Sequence, residues 1–160
     1  MWIDAAGGAF AALTDKILAL VLTILLYGSE CWSLTEKLYN RLRAFHHRCI
    51  RSMCRVTRLH TRKHLISNAE LLERTDLQPI DSYISKRQLR WAGHVARMPN
   101  DRLPRKMLSC WVNNKRPCRA PQLTYGQSLK KSLKKAKIPS TNWHELAQDR
   151  AKWRELINAA

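Results

Sequence analysis

The pattern of apolar and polar positions divides the chain into helical pieces. From Ile17 to Tyr27, after Asp15-Lys16, only Thr23 interrupts an apolar run. A helix there is apolar on all sides, so it is expected to be buried on all sides or to need a partner that covers it. Gly28-Ser29-Glu30 breaks it. Ser33-Leu34-Thr35-Glu36 has the form of a capping box. The helix it opens is expected to run to about Cys54, with Leu34, Leu38, Leu42, Phe45, Cys49 and Met53 as its apolar face. Ser67-Asn68-Ala69-Glu70 is a second capping box, for a short helix to about Arg74. Pro79 suits the first turn of a longer helix. Ile80, Ile84, Trp91, Val95 and Met98 form the inward face of that helix, and Pro99 ends it.

Beyond Met98 the pattern changes. Pro99, Pro104, Pro117 and Pro121 make residues 99–122 a connection, with one helical turn around Lys106 to Trp111. Leu123 to Lys137 reads as a cationic helix with Leu129 and Leu133 inside. Asn142-Trp143-His144-Glu145 opens a last helix to about Ile157, whose inner face is Trp143, Leu146, the Arg150 stem or Ala151, Trp153 and Ile157. Residues 1–13, with Gly7-Gly8, read as a short helical stub with a loose end. No alternating β-branched run appears. The chain is therefore expected to be all-α, a small irregular bundle of about five to six helices with a proline-rich connection.

Charge sharpens this picture. The 160 residues carry a formal net charge of +17, and the usual reason for such self-repulsion is a polyanionic partner. The charge is concentrated. Residues 86–137 hold fifteen Lys and Arg against Asp101 alone, and no acid lies between Arg41 and Lys63. Trp91, Trp111 and Tyr125 sit among these cations, which adds stacking surface to phosphate neutralisation. The candidate phosphate contacts are Arg48, Arg51, Arg55, Arg87, Arg90, Arg97, Lys130, Lys131, Lys134 and Lys135. Contacts of this kind position a strand without reading its sequence.

Other chemistry is weakly represented. Cys49, Cys54, His60 and His64 have zinc-compatible residue types, but the loop between the pairs is shorter than a finger requires. Cys49 also fits the apolar face of its helix as a small core residue. The expectation is no metal and no cofactor. There is no phosphate-binding glycine loop and no nucleophile elbow. No close Asp pair of the kind a two-metal site needs is present, and His94 has no evident nucleophile beside it. No small-molecule substrate is implied. Five cysteines, an odd count without a signal peptide, point to reduced thiols in a nuclear or cytoplasmic protein. The apolar run Ile17 to Tyr27 is too short to span a bilayer.

Several blocks resemble one family. Ile24-Leu25-Leu26-Tyr27-Gly28-Ser29-Glu30-Cys31-Trp32 is similar to the block that follows the palm in non-LTR (LINE-type) retrotransposon reverse transcriptases. Leu42-Arg43-Ala44-Phe45-His46-His47-Arg48-Cys49-Ile50-Arg51, Asn68-Ala69-Glu70-Leu71-Leu72 and Lys86 through Pro99 resemble the blocks after it. Asp101-Arg102-Leu103-Pro104 and Trp143 through Arg154 complete the series in family order. The resemblance implies the helical thumb and C-terminal extension, a region that grips template and primer. It also implies a truncated copy, or a fragment of a larger protein, because the family's catalytic aspartates lie upstream and this sequence has no Asp-Asp pair. Pro117-Cys118-Arg119-Ala120-Pro121 departs from the family's glycine-containing turn.

The organisation expected is 1–32 as an apolar thumb-like remnant, 33–98 as a basic helical region, 99–122 as a connection and 123–160 as a C-terminal helical hairpin. The function expected is non-catalytic binding of RNA or DNA through phosphates. The alternatives are a helical interaction fragment that needs a missing polymerase domain, or a small zinc module.

Overall fold

The structure, a computed structural model, describes residues 20–113 and 124–159, with backbone alone for 109–113. Every regular element among the described residues is helical, as the periodicity requires. A helical stretch over 20–25 leads to a 3-10 turn, Ser29–Cys31. Then follow α1 (Glu36–Met53), α2 (Arg58–Lys63), α3 (Asn68–Arg74), α4 (Ile80–Ala96), α5 (Leu103–Asn113), α6 (Tyr125–Lys135), α7 (Trp143–Leu146) and α8 (Arg150–Asn158). None of these is long and apolar enough to cross a membrane. The expectations for residues 1–19 and for Pro117 to Pro121 lie outside the described residues.

The described chain divides into two compact units. One holds residues 20–27 and 41–79; the other holds 28–40 and everything described from Ile80 onward.

The second unit is built on α4, which packs against α5, α6, α8 and the 3-10 turn. Ile80, Ile84 and Val95 are buried as their spacing predicts. The buried set also takes in Ser85, Gln88, Leu89, Ala92, Gly93 and Ala96, because a helix packed by several neighbours has more than one inward face. Trp91 is only half-buried and meets Tyr125 edge-on, with ring centroids 5.4 Å apart. Met98, expected inside, lies past the helix end and is half-buried. Gln88 is fully buried and fully used: its amide donates to the Trp32 carbonyl at 2.9 Å and accepts from the Ser132 hydroxyl at 2.7 Å. A buried amide with both ends satisfied fixes register instead of costing stability.

α4 and α8 approach each other closely at Gly93. Trp153 is 2% exposed, and its indole donates to the Leu89 carbonyl at 3.0 Å. The ring lies where a side chain on Gly93 would stand, since a Cβ added there would overlap the indole. Gly93 is thus required for packing; its own conformation is ordinary helix.

Two expectations are corrected here. The last helix is not continuous from Asn142. It breaks after Leu146 and restarts because the Asp149 carboxylate accepts from Ala151 and Lys152 N–H, making a new N-cap. Arg150 and Ala151 consequently lie outside, and Trp153 and Ile157 alone are buried on α8. In the region expected as a connection, α5 is a full helix over Leu103–Asn113. Pro104 sits within its first turn, where a missing N–H leaves no bond unmade.

The inward face of α1 is turned from the one predicted. Leu38 and Phe45 are about two-fifths exposed (41% and 40%), whereas His46 and Ile50 are buried. The predicted stripe took the larger apolar residues, but the covered side passes through a histidine. The helix also starts at Glu36, one turn after Ser33. The all-round burial expected for the first apolar run does not hold for residues 20–27. Leu26 is covered, while Leu20, Ile24 and Tyr27 are 64%, 76% and 85% exposed. The described helices cover it on one side only. Ser67 does cap α3 as predicted, accepting from Glu70 N–H at 3.1 Å. The Glu70 carboxylate turns instead to Arg74 at 2.6 Å.

Four helices end alike. Arg55, Leu65, Asp76 and Lys137 each have φ between 51° and 56°. In each case the next residue, Val56, Ile66, Leu77 or Ile138, donates its N–H back five residues at 2.9 to 3.0 Å. This is the Schellman termination, with an apolar residue in the position after the left-handed one. Glycine usually takes the left-handed place, because a Cβ there costs roughly 1–2 kcal/mol.

Two stability predictions follow from these contacts. Gly93→Ala should lower the unfolding free energy by about 2–3 kcal/mol, the scale of overpacking a tight contact; an unchanged denaturant midpoint would refute the close approach. Leu65→Gly should raise it by about 0.5–1 kcal/mol, since relief of the left-handed strain exceeds the added unfolded-state entropy. A loss measured in the same denaturant titration would refute the strain.

Candidate nucleic-acid interface

Cationic side chains need a concave frame before they act as a site. In the second unit α4 and α8 provide one. Arg90 and His94, four apart on α4, and Arg97, in the turn that follows it, line the same cleft. Arg150 and Arg154 stand four apart on α8. Together with Trp153, Ile157 and Asn158 they line a cleft of about 690 Å³. Ile157 and Trp153, 1% and 2% exposed, make a closed apolar floor. No lining residue is acidic.

Arg97 is held in place. Its guanidinium donates to the Ala147 carbonyl at 2.7 Å, and the Gln148 amide donates to the Ala96 carbonyl at 3.0 Å just above it. The remaining donors of the guanidinium are oriented by a neutral partner that leaves its charge uncancelled. Asp149, the acid nearest Arg150 in sequence, is occupied with its capping bonds and lies 3.8 Å from Lys152. A cleft with four guanidinium groups, an imidazole and an apolar floor can hold phosphate oxygens and lay a sugar or base against the floor.

The other predicted residues fall elsewhere. Arg87 is half-buried on α4 but does not line this cleft. Lys130, Lys131, Lys134 and Lys135 are exposed on the outer side of α6. Arg48 is exposed on α1, and Arg55 occupies the left-handed turn after it. Arg51 lies in the first unit, where it lines a separate cleft with Arg58 and Arg62. Reasoning from charge density missed Arg150 and Arg154, because residues 138–160 balance to zero. Their four-residue spacing beside a capped Asp149 was the available signal.

The zinc reading is not supported by the geometry. Among the described residues no three His, Cys, Asp or Glu side chains gather where they could hold a metal ion. α1 ends at Met53, so Cys54 enters the turn, and the His60 and His64 rings stack on each other at 4.2 Å. Burial pushes the Cys49 thiol pKa up, against the opposing Arg48 charge and a backbone hydrogen bond. That shift disfavours the thiolate a metal would need.

Outside the cleft, the His144 ring lies against Trp143 with ring centroids 3.7 Å apart. Arg105 donates to its Nδ1 at 3.2 Å, which requires the neutral ring with its proton on Nε2. Burial, and then the Arg105 charge, hold its pKa below the ordinary imidazole value.

With this geometry in view, one likeness bears on the chain's origin. It is 28% identical over 157 residues to a Caenorhabditis elegans protein named as an uncharacterized, transposon-derived protein. The match covers 91% of this chain and 56% of the relative, so the chain spans just over half the length of the curated relative it matches. No protein-family model matches the chain, and no solved structure matches it. The likeness points to a transposable-element origin.

His144 supplies a pH prediction. Its folded pKa is depressed, so its contribution to stability is present above the unfolded imidazole pKa of about 6.5 and is lost as pH falls through the folded value. Unfolding free energy should therefore decline from about pH 7 to about pH 5, and less steeply in His144→Gln. Urea titrations at the two pH values check this; identical slopes in the two proteins would refute it.

Proposed function

We propose that the chain is a non-catalytic, nucleic-acid-binding remnant of a non-LTR retrotransposon reverse transcriptase. It grips RNA or DNA by the phosphate backbone in the α4–α8 cleft. The observation that carries this reading is the convergence of Arg90, Arg97, Arg150 and Arg154 with His94 over an apolar floor, with no acid among them. The likeness to a transposon-derived protein and the ordered blocks of family-like sequence support the origin. A net charge of +17 supports the polyanionic partner.

The mechanism is counterion release. Each guanidinium that pairs with a phosphate frees condensed cations from the strand, so affinity falls as salt rises. Trp153 is too deep to stack freely. Its role is to close the floor, and the exposed edges of the cleft give the strand its contact. The binding is expected to be indifferent to sequence, because phosphate contacts carry none. No residue group identified above offers polymerase chemistry, and the reading assigns the chain none.

The test is a salt titration of binding to a mixed-sequence single strand, followed by fluorescence anisotropy. Arg90→Gln combined with Arg154→Gln should weaken binding and flatten the plot of log affinity against log salt by about 1.4, the value for two phosphate contacts on a single strand. A double variant that binds with the parent slope would remove the cleft from the interface.

A further inference from the structure

The first unit carries its own convergence of arginines. We infer that Arg51, Arg58 and Arg62 form a second, separate binding site for the phosphodiester backbone of a nucleic acid. These side chains come from two elements, Arg51 from α1 and the other two from α2, and they line one cleft of about 480 Å³ with Leu59, Thr61 and Ile66. Three guanidinium groups of like charge around one concavity repel each other, and nothing acidic lines the cleft to offset that. No acid occurs between Arg41 and Ala69, a stretch that carries eight Lys and Arg.

The scaffold explains why they meet. The Schellman turn at Arg55 ends α1, and the Thr57 hydroxyl caps α2 by accepting from His60 N–H at 3.1 Å. The turn at Leu65 ends α2 after two turns, and Ile66 N–H returns to the Thr61 carbonyl at 3.0 Å. A short helix pinned at both ends places Arg58 and Arg62, four residues apart, in the cleft that Arg51 of α1 also lines.

Arg51 is positioned by the Asn68 side-chain carbonyl, which accepts from its guanidinium at 3.4 Å. A neutral amide in that place orients the group and leaves its full charge for an anion. The Thr61 hydroxyl is engaged with the Arg58 carbonyl at 2.8 Å, so the donors the cleft offers are guanidinium N–H groups. That donor set matches phosphate oxygens, which accept bidentate pairs. Leu59, 79% exposed at the rim, offers apolar surface to the sugar side of a strand. A strand has both features; a free inorganic anion has only the first.

The inference stands apart from the function proposed for the α4–α8 cleft, and the two fail separately.

The experiment uses the full chain and mixed-sequence single strands of about 4 and about 16 nucleotides, the limits of common single-strand site sizes. Arg58→Gln with Arg62→Gln is compared with Arg90→Gln with Arg154→Gln. All four residues are exposed, and a circular-dichroism melt confirms that each variant is folded. With the long strand, each double variant should weaken binding and the quadruple variant should abolish it. With the short strand, either double variant should retain binding through its remaining cleft. If Arg58→Gln with Arg62→Gln leaves the long-strand affinity and slope unchanged, the second site is refuted, whatever the other pair does. If it alone abolishes long-strand binding, the second site stands and the α4–α8 reading falls. An excess of inorganic phosphate that displaces the long strand as well as unlabelled strand does would also overturn the inference, because it reduces the site to a small-anion site.

Discussion

The contact between Gly93 and the Trp153 indole fixes the distance between α4 and α8. Only a residue without Cβ lets the ring reach the helix backbone and donate to Leu89. Once it does, the rest of the second unit is constrained. Trp143 closes on Trp153, with centroids 6.2 Å apart, and Leu129 and Leu133 seat α6 in the same core. The arginines line one cleft with the indole, so the width of the basic cleft is a consequence of the core beneath it. An apolar contact thereby determines an electrostatic one: cations brought this close without a carboxylate between them are stable only because packing holds their helices there.

The first unit reaches a similar result by different means. Apart from α1 its helices are short, and few of its side chains are fully buried, so it relies on how its helices end. Repeated left-handed terminations turn the chain sharply after Arg55, Leu65 and Asp76. Each stores backbone strain that a glycine would release. Each also satisfies helix-end carbonyls that would otherwise need water. The turns decide which way α2 faces, and that decides which arginines meet.

Much of this was legible in the sequence where a local rule had no competitor. The Ser67 cap, the start of α4 after Pro79 and the inward Leu129 and Leu133 follow from side-chain chemistry within a few residues. The helical class follows from periodicity alone. What was not legible depends on contacts distant in sequence. His46 is buried where a larger apolar neighbour was expected, because tertiary packing sets the angle of α1. Asp149 splits the last helix because its cap outweighs continuation through Ala147 and Gln148. Counting charge along the chain favoured the lysines of α6 and did not single out Arg58, Arg62, Arg150 and Arg154, whose meeting in clefts depends on how the helices are placed.

The hold of the Ala147 carbonyl on Arg97 separates two kinds of positive charge on this molecule. Arg97 has already lost its rotamer freedom on folding, whereas the exposed lysines of α6 each retain rotamer entropy worth about 2 kcal/mol. Mobile charge acts at a distance and fixed charge acts on contact. On the reading proposed here, the lysine face governs how often a strand arrives and the anchored arginines govern how long it stays. Arrival would then be sensitive to ionic strength, and residence to the integrity of the core behind the cleft.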